Sequence, residues 1–252
     1  MNETFIHLNE THSTNSYLRE LIMREKEQPE GTVVITDYQT AGRGQKGNSW
    51  ESERGKNLTF SILLHPNHIP PGKQFILSQL ISIAIVGVLK KYDRHFTIKW
   101  PNDILFRQKK LCGILAELVK NGTRTMTVIG IGMNVNAAEV SDAWMQRATS
   151  LFIETRAVTD VNELGACIAE HVHERVNMLK QGEKDRILRD YINNCSTLNQ
   201  EITIHGTDGG KVKAFAEGID EHGRLIAAFP NGETKTVDAA DVSVRTAERM
   251  PE

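Results

Sequence analysis

Near Thr197 the chain changes character, and that change limits the architecture it can adopt. Before it, strand-like runs and helical stripes are mixed. Phe5-Ile6-His7-Leu8 reads as a short strand. Ser13-Thr14-Asn15 offer N-cap side chains for a helix with Tyr17, Leu18, Leu21 and Ile22 at helical spacing. Thr32 to Tyr38 is β-branched and strand-like. Asn57 to Leu64 alternates Leu58, Phe60, Ile62 and Leu64 with polar partners, the pattern of a half-buried strand. Gln74 to Lys91 reads as a well-buried helix, and Thr97 to Trp100 as a strand that stops at Pro101. Leu111 to Lys120 and Thr125 to Met133 form a hairpin around Asn121-Gly122. Helices follow over Asn162 to Leu179, with an apolar stripe of Leu164, Ile168, Val172, Val176 and Leu179, and over Lys184 to Asn194. After Thr197, short alternating strands meet the turn pairs Gly209-Gly210, His222-Gly223 and Asn231-Gly232, which predicts a small β-barrel of about 50 residues. The expected order is an α+β body with a mixed sheet over residues 1–196, then an all-β domain over 197–252.

Four segments could carry chemistry. Gly42-Arg43-Gly44-Gln45-Lys46-Gly47-Asn48-Ser49-Trp50 is a glycine-rich basic loop directly after a strand. Glycines allow close backbone approach, and exposed N–H groups with Arg43 and Lys46 suit a phosphate or carboxylate. The spacing satisfies GxGxxG, but no apolar helical stripe follows, as a dinucleotide fold would need. Asn48 stands where a P-loop requires Lys. A plain glycine-rich surface turn is the competing reading. Lys99-Trp100-Pro101-Asn102-Asp103 packs a cation, an amide and a carboxylate around a proline that keeps Trp100 extended and presents Asn102 and Asp103 at the strand's carboxyl end. An Asn-Asp turn capping a strand fits equally. In Lys110-Leu111-Cys112-Gly113-Ile114-Leu115-Ala116-Glu117, Gly113 inside a strand marks a bulge or the close approach of a ligand, and Lys110 could reach the pocket of Arg43. Gly130-Ile131-Gly132-Met133-Asn134 ends a strand in small residues that open space for a flat ligand, or simply in an Asn turn.

Composition narrows the classes. The 252 residues are 39% hydrophobic and 25% charged, with a net charge of -2, so no global field draws the chain to nucleic acid or a membrane. Cys112, Cys167 and Cys195 are odd in number and form no CxxC pair, which predicts reduced thiols and a cytoplasmic protein. His171 and His173 sit two apart on a helix and make a poor metal pair, and no zinc site is expected. The N-terminus shows no signal sequence, and Ile81 to Leu89 is too short to span a bilayer. No Ser-His-Asp or Cys-His arrangement is readable.

In combination and order, Ser13-Thr14-Asn15, Gln39 before Gly42-Arg43-Gly44, the KWPND segment 99–103, the segment Lys110 to Glu117 and Gly130 to Asn134 resemble the biotin protein ligase family, across nearly the whole chain. The resemblance implies a catalytic domain related to class II aminoacyl-tRNA synthetases and a C-terminal SH3-like β-barrel. It implies joining biotin and ATP, with Mg²⁺ carried by the ATP, into biotinyl-5'-adenylate with release of pyrophosphate. Biotin then passes to one lysine of a biotin carboxyl carrier protein or domain. By resemblance, Ser13, Thr14, Asn15 and Gln39 hold the ureido head. Gly42, Arg43, Gly44 and Gln45 belong to the loop that closes on the biotin chain and phosphate. Lys110, beside Gly113, approaches the carboxylate and α-phosphate. Lys46, Trp50, Lys99, Asn102 and Asn134 line the nucleotide region. Asp103 is the expected partner for the proton of the acceptor lysine, so Arg43, Lys110 and Asp103 form the expected catalytic set. The loop departs from the family's G-R-G-R-x-G-R, with Gln45 and Asn48 in place of arginines, which predicts weaker retention of the adenylate.

The catalytic pattern starts at Phe5, so the expectation is a monofunctional ligase without an N-terminal DNA-binding domain. A homodimer through an edge strand near the hairpin is an open partner assignment. Three other functions compete: a lipoate-type ligase of the same superfold, which the 42–50 loop and KWPND oppose; a biotin-sensing transcriptional regulator, which the missing basic recognition helix opposes; and a non-catalytic biotin-binding module.

Overall fold

The computed structural model describes residues 4–24, 28–66, 69–140, 147–206, 210–239 and 242–246. Gly209 of one expected turn pair, and Asn2 and Glu3 of the N-terminal reading, lie outside the described residues.

The body is built on a seven-stranded mixed sheet. Its strands are β1 (Phe5–Leu8), β2 (Val33–Thr36), β3 (Leu58–Leu64), β4 (Phe96–Lys99), β5 (Asp103–Phe106), β6 (Lys109–Asn121) and β7 (Arg124–Met133), in the spatial order β1-β2-β3-β7-β6-β5-β4. Only β1 and β2 pair in parallel. α1 (Thr14–Arg24) covers one face, where Leu18 and Ile22 pack on Val34, Leu63, Val119, Met126 and Val128. α2 (Phe75–Leu89), α4 (Val161–Lys180) and α5 (Lys184–Asn194) cover the other, and a short α3 (Leu151–Thr155) precedes α4. α2 is buried almost all round because α4, α5 and the sheet enclose it, so its apolar residues form no single stripe. Each fully buried Leu or Ile there contributes roughly 1.5–3 kcal/mol.

Two expectations need correction. β3 is not half-buried: all seven of its residues are buried, because helices cover both faces. Its polar members are satisfied inside, with the Thr59 hydroxyl donating to Thr36 O at 2.9 Å and Ser61 meeting Thr14 and Asn15. Asp103 does not trail a strand's end; it opens β5, which runs back antiparallel to β4 with Lys99 opposite Asp103. The turn between them contains a cis peptide at Trp100–Pro101.

The remaining chain forms a five-stranded antiparallel sheet of β8 (Gln200–Gly206), β9 (Lys211–Ile219), β10 (Leu225–Ala228), β11 (Thr234–Val237) and β12 (Val242–Thr246), in the order β11-β10-β9-β8-β12. This is the expected small SH3-like unit. Its turn glycines Gly223 and Gly232 both adopt positive φ, as the sequence pairs predict. Among the described residues, no helix is long and apolar enough to cross a membrane.

Candidate active site

The strands β3, β7 and β6 end beside the N-terminus of α1 and the loop after β2, and between them lies a pocket of about 460 Å³ including its open mouth. Its two ends differ in chemistry.

One end is neutral. Ser13, Thr14 and Asn15 open α1 and are buried. Gln39 Oε1 accepts from the Thr14 backbone N–H at 2.8 Å and from its hydroxyl at 3.2 Å. Ser61 Oγ stands 2.7 Å from Thr14 Oγ1 and 2.6 Å from Asn15 Oδ1, so its single proton serves one of them. Asn15 Nδ2 donates to Leu115 O at 3.3 Å and to Glu117 Oε2 at 2.7 Å. Gly130 makes room for this amide, since a Cβ there would lie 2.5 Å from Asn15 Oδ1. The result is a rigid set of hydroxyl and amide groups suited to a neutral head rich in donors and acceptors.

The other end is charged. Arg43 donates to Glu117 Oε2 at 2.7 Å, with the arginine side chain 39% and the glutamate 23% exposed. One carboxylate oxygen thus receives both Asn15 and Arg43. Lys110 Nζ stands 2.7 Å from Asp103 Oδ1, an ion pair without hydrogen-bond alignment. The Trp50 ring lies 5.8 Å from Lys110 Nζ and covers Gly132, where a Cβ would come within 2.4 Å of the indole. The indole N–H is buried with no hydrogen-bond partner among the described residues. The loop carrying these groups closes on itself. Gly44 N–H donates to Asn48 O at 2.7 Å, Trp50 N–H to Gly42 O at 2.9 Å, and Asn48 Nδ2 to Gln45 O at 2.9 Å. A Cβ at Gly42 would sit 2.2 Å from Trp50 O, so glycine is required there. A short 3₁₀ turn, Gln45–Gly47, stands in place of the long helix that a dinucleotide fold needs. Cys112 is not a nucleophile for this site: burial pushes its thiol far above the ordinary range and keeps it protonated.

Of the residues singled out in the sequence, the pocket brings together Ser13, Thr14, Asn15, Gln39, Arg43, Gly44, Gln45, Trp50, Asn102, Lys110 and Gly113. Arg43 and Lys110 therefore share one cavity. Gly42 backs Trp50, and Asp103 reaches the pocket through Lys110. Lys46, Lys99 and Asn134 do not line it. Lys46 is at the loop tip with φ 56°, and Lys99 lies in β4. Asn134 ties two loops, donating from Nδ2 to Thr149 O at 3.0 Å and from its backbone to Leu111 O at 2.9 Å. The Asn102 side chain donates to Ile114 O at 2.7 Å, which is the strand-capping use of that amide, although it also faces the pocket. Two residues that bond to the lining, Ser61 and Glu117, had no role assigned from the sequence. A serine inside an apolar strand was the only signal for the first. Glu117, seven residues past Lys110, closes the segment already singled out, but strand alternation puts it on the face opposite Lys110 and gives no sign of its bond to Arg43.

Comparison with known proteins agrees with this arrangement. The profile of the Biotin/lipoate A/B protein ligase family matches residues 8–134, and that of the Biotin protein ligase C terminal domain matches residues 197–245. The bifunctional ligase/repressor BirA of Bacillus spizizenii is 34% identical over 225 residues, covering 86% of this chain and 67% of the relative. The biotin--[acetyl-CoA-carboxylase] ligase of Mycobacterium tuberculosis is 29% identical over 219 residues, covering 84% and 79%. Among solved structures, the biotin protein ligase from Aquifex aeolicus in complex with biotin and ATP matches with a TM-score of 0.83 at 28% identity, covering 97% of this chain and 99% of that one. The seven-stranded sheet is that of a ligase catalytic fold. The chain belongs to the Biotin/lipoate A/B protein ligase family. Its activity is that of the biotin protein ligases, as the C-terminal match and the named relatives agree.

Proposed function

We propose that the pocket joins biotin to ATP and then hands the biotinyl group to a lysine of a biotin carboxyl carrier domain. The observation that carries this reading is the presence of Arg43 and Lys110 in the same cavity as the neutral set at Ser13, Thr14, Asn15 and Gln39. The neutral end takes the ureido head, and the valeryl carboxylate then points to the cations. In the first step a carboxylate oxygen attacks the α-phosphorus. A new P–O bond forms, the bond to the β-phosphate breaks, and pyrophosphate leaves. The reactants are both anions, so their repulsion is the main barrier the protein can lower. Arg43 and Lys110 offset it by positioning and charge, which are the principal levers in phosphoryl-type transfer. No base is needed, because the carboxylate is already ionised. In the second step the acceptor amine attacks the acyl carbon, a C–N bond forms, and AMP leaves. The amine must first lose a proton, and Asp103, ion-paired to Lys110 in the free protein, would take it once Lys110 turns to the phosphate.

Trp50 and Asn102 form the nucleotide side. Lys46, Lys99 and Asn134 stand outside the pocket lining, and no nucleotide contact is assigned to them. The pocket carboxylates at Asp103 and Glu117 are committed to Lys110 and Arg43, and no cluster of metal-ligating side chains occurs among the described residues. Mg²⁺ would therefore be carried by the triphosphate, where it draws charge from the phosphates, and no step is derived through a protein-held metal. We divide the chain functionally at residues 196/197. The unpaired state of all three cysteines supports a reducing compartment.

The test is to incubate the protein with biotin, MgATP and a purified carrier domain. Pyrophosphate release should depend on biotin and not on lipoate, and the carrier should gain one biotinyl group by mass. Biotin capture without any pyrophosphate release would instead select the non-catalytic binding module.

A further inference from the structure

Trp100 is the largest fully buried side chain among the described residues, and what holds it is not the catalytic sheet alone. Its indole N–H donates to Gly223 O at 2.9 Å, in the β9–β10 turn of the C-terminal sheet. Its backbone N–H donates to Thr197 Oγ1 at 3.0 Å, just before that sheet begins. We propose that the turn 220–224 is a positioning element of the active site, holding Trp100 and, two and three residues on, Asn102 and Asp103.

Several contacts make this turn stiff. Gly223 has φ 83°, and a Cβ there would lie 2.0 Å from Phe75 Cδ1, so the turn is seated directly on the start of α2. The Asp220 carboxylate accepts from the backbone N–H groups of His222 and Arg224, each at 2.9 Å, and from Arg224 Nε at 2.8 Å. Lys73 pairs with Glu221 at 2.6 Å, and His222 Nδ1 lies 3.0 Å from Gly72 O. The segment from Trp100 to Asn102 is then fixed at both ends. At its far end Ile114 N–H donates to Asn102 O at 2.9 Å, and Asn102 Nδ2 donates to Ile114 O at 2.7 Å. At its near end the β4–β5 pairing of Lys99 with Asp103 and a 3.4 Å bond from the Tyr191 hydroxyl to Pro101 O assist, but the Trp100 side chain itself is anchored on the second domain. A loss of about 0.5 Å in placement is enough to cost rate when reacting groups must meet in a fixed geometry. Among the described residues no hydrogen bond or ion pair links the neutral end of the pocket to this turn, so biotin capture should not sense it.

This inference rests on the proposed ligase reading for its kinetic arm. The variants are Asp220→Ala, Asp220→Asn and Trp100→Phe in the full chain, with Glu233→Ala, in the next turn of the same sheet, as control. Asp220→Ala should lower kcat for pyrophosphate release by about tenfold while the Kd for biotin alone stays within about twofold. Asp220→Asn keeps an oxygen for the two backbone bonds and should restore most of the rate. Glu233→Ala should change neither. If Trp100→Phe fails to fold, the Asp220 pair decides. Hydrogen exchange gives an arm that needs no chemistry. The Ile114 amide should exchange about tenfold faster in Asp220→Ala, and the Thr14 amide at an unchanged rate. Unchanged kcat and unchanged exchange in a folded Asp220→Ala, or a parallel loss of biotin affinity, overturns the inference. A wild-type protein that releases no pyrophosphate overturns the ligase reading instead, and exchange at Ile114 then decides this one alone.

Discussion

The two ends of the pocket differ in how finished they are. At the neutral end, Ser13, Thr14, Asn15 and Ser61 are buried, with Ser61 already bonded to Thr14 and Asn15 and Thr14 to Gln39. At the charged end, Arg43 and Lys110 are partly exposed, and each is held by a carboxylate, Glu117 and Asp103. The difference follows from cost. Neutral groups can be buried in advance if they satisfy one another, whereas an unpaired cation in a half-enclosed pocket carries a desolvation penalty. In the proposed reading the neutral end is a preformed recognition surface, and Arg43 and Lys110 are cations that a ligand anion would draw away from their carboxylates. The comparison predicts that variants at the two ends should separate binding from rate.

The largest effect should come from Lys110→Ala. In the proposed reading it removes one of the two cations that offset the carboxylate–phosphate repulsion, and loss of one such charge typically costs about 10²–10³-fold in rate. Pyrophosphate release in single turnover should fall by that order, while calorimetric biotin affinity changes far less. An equal collapse of biotin affinity would show that the two ends act as one.

Gly130→Ala should do the converse. Its Cβ must displace the Asn15 amide, which it would meet at 2.5 Å, and an amide pushed off Ser61 and Glu117 leaves buried polar groups without partners. Each such group costs about 1–3 kcal/mol, so biotin affinity should fall about 10–100-fold, with kcat at saturating biotin nearly kept. A loss confined to kcat would break the comparison.

Glu117→Gln probes the atom the two ends share. Glutamine keeps an acceptor for Asn15 Nδ2 but drops the charge that holds Arg43. A part-exposed pair of this kind is worth about 0–1 kcal/mol, so biotin affinity should move within about threefold. Tryptic cleavage after Arg43 in the ligand-free protein should rise by a similar factor. Unchanged cleavage would mean that the loop is held by its own backbone bonds.

These residues also show what the sequence could and could not reveal. The stripe from Leu164 to Leu179 was legible because one element writes its own periodicity, and α4 spans Val161–Lys180. The cap residues 13–15, Gln39 and the loop 42–50 were legible as a combination, since each sits at an element end where backbone groups need partners. The Arg43–Glu117 pair was not, because its members are 74 residues apart and no local rule links them. β3 misled for a related reason. Thr59 and Ser61 look like solvent-facing positions, yet Thr36, Thr14 and Asn15 satisfy them from other elements. The strand β5 was hidden because four residues after a proline turn carry too little pattern to read.

The smallest expected effect concerns the loop's missing arginine. Gln45 lines the pocket with a neutral side chain, and its carbonyl is spent on Asn48, so beyond Arg43 the pocket lining holds only Lys110 as a cation. Adding a guanidinium at this position places a third cation beside the phosphate of the adenylate without disturbing the backbone bonds that close the loop. In a partly exposed setting such a charge contributes about 0.5–1 kcal/mol, screened further by salt. Gln45→Arg should therefore slow dissociation of biotinyl-5'-adenylate about two- to fivefold at low ionic strength, measured by trapping released adenylate, and the gain should shrink at high salt. Biotin affinity alone should not move, because the neutral end is already complete. Equal dissociation rates at both salt concentrations would show that retention is set by Trp50 and the loop backbone, and that charge at position 45 plays no part.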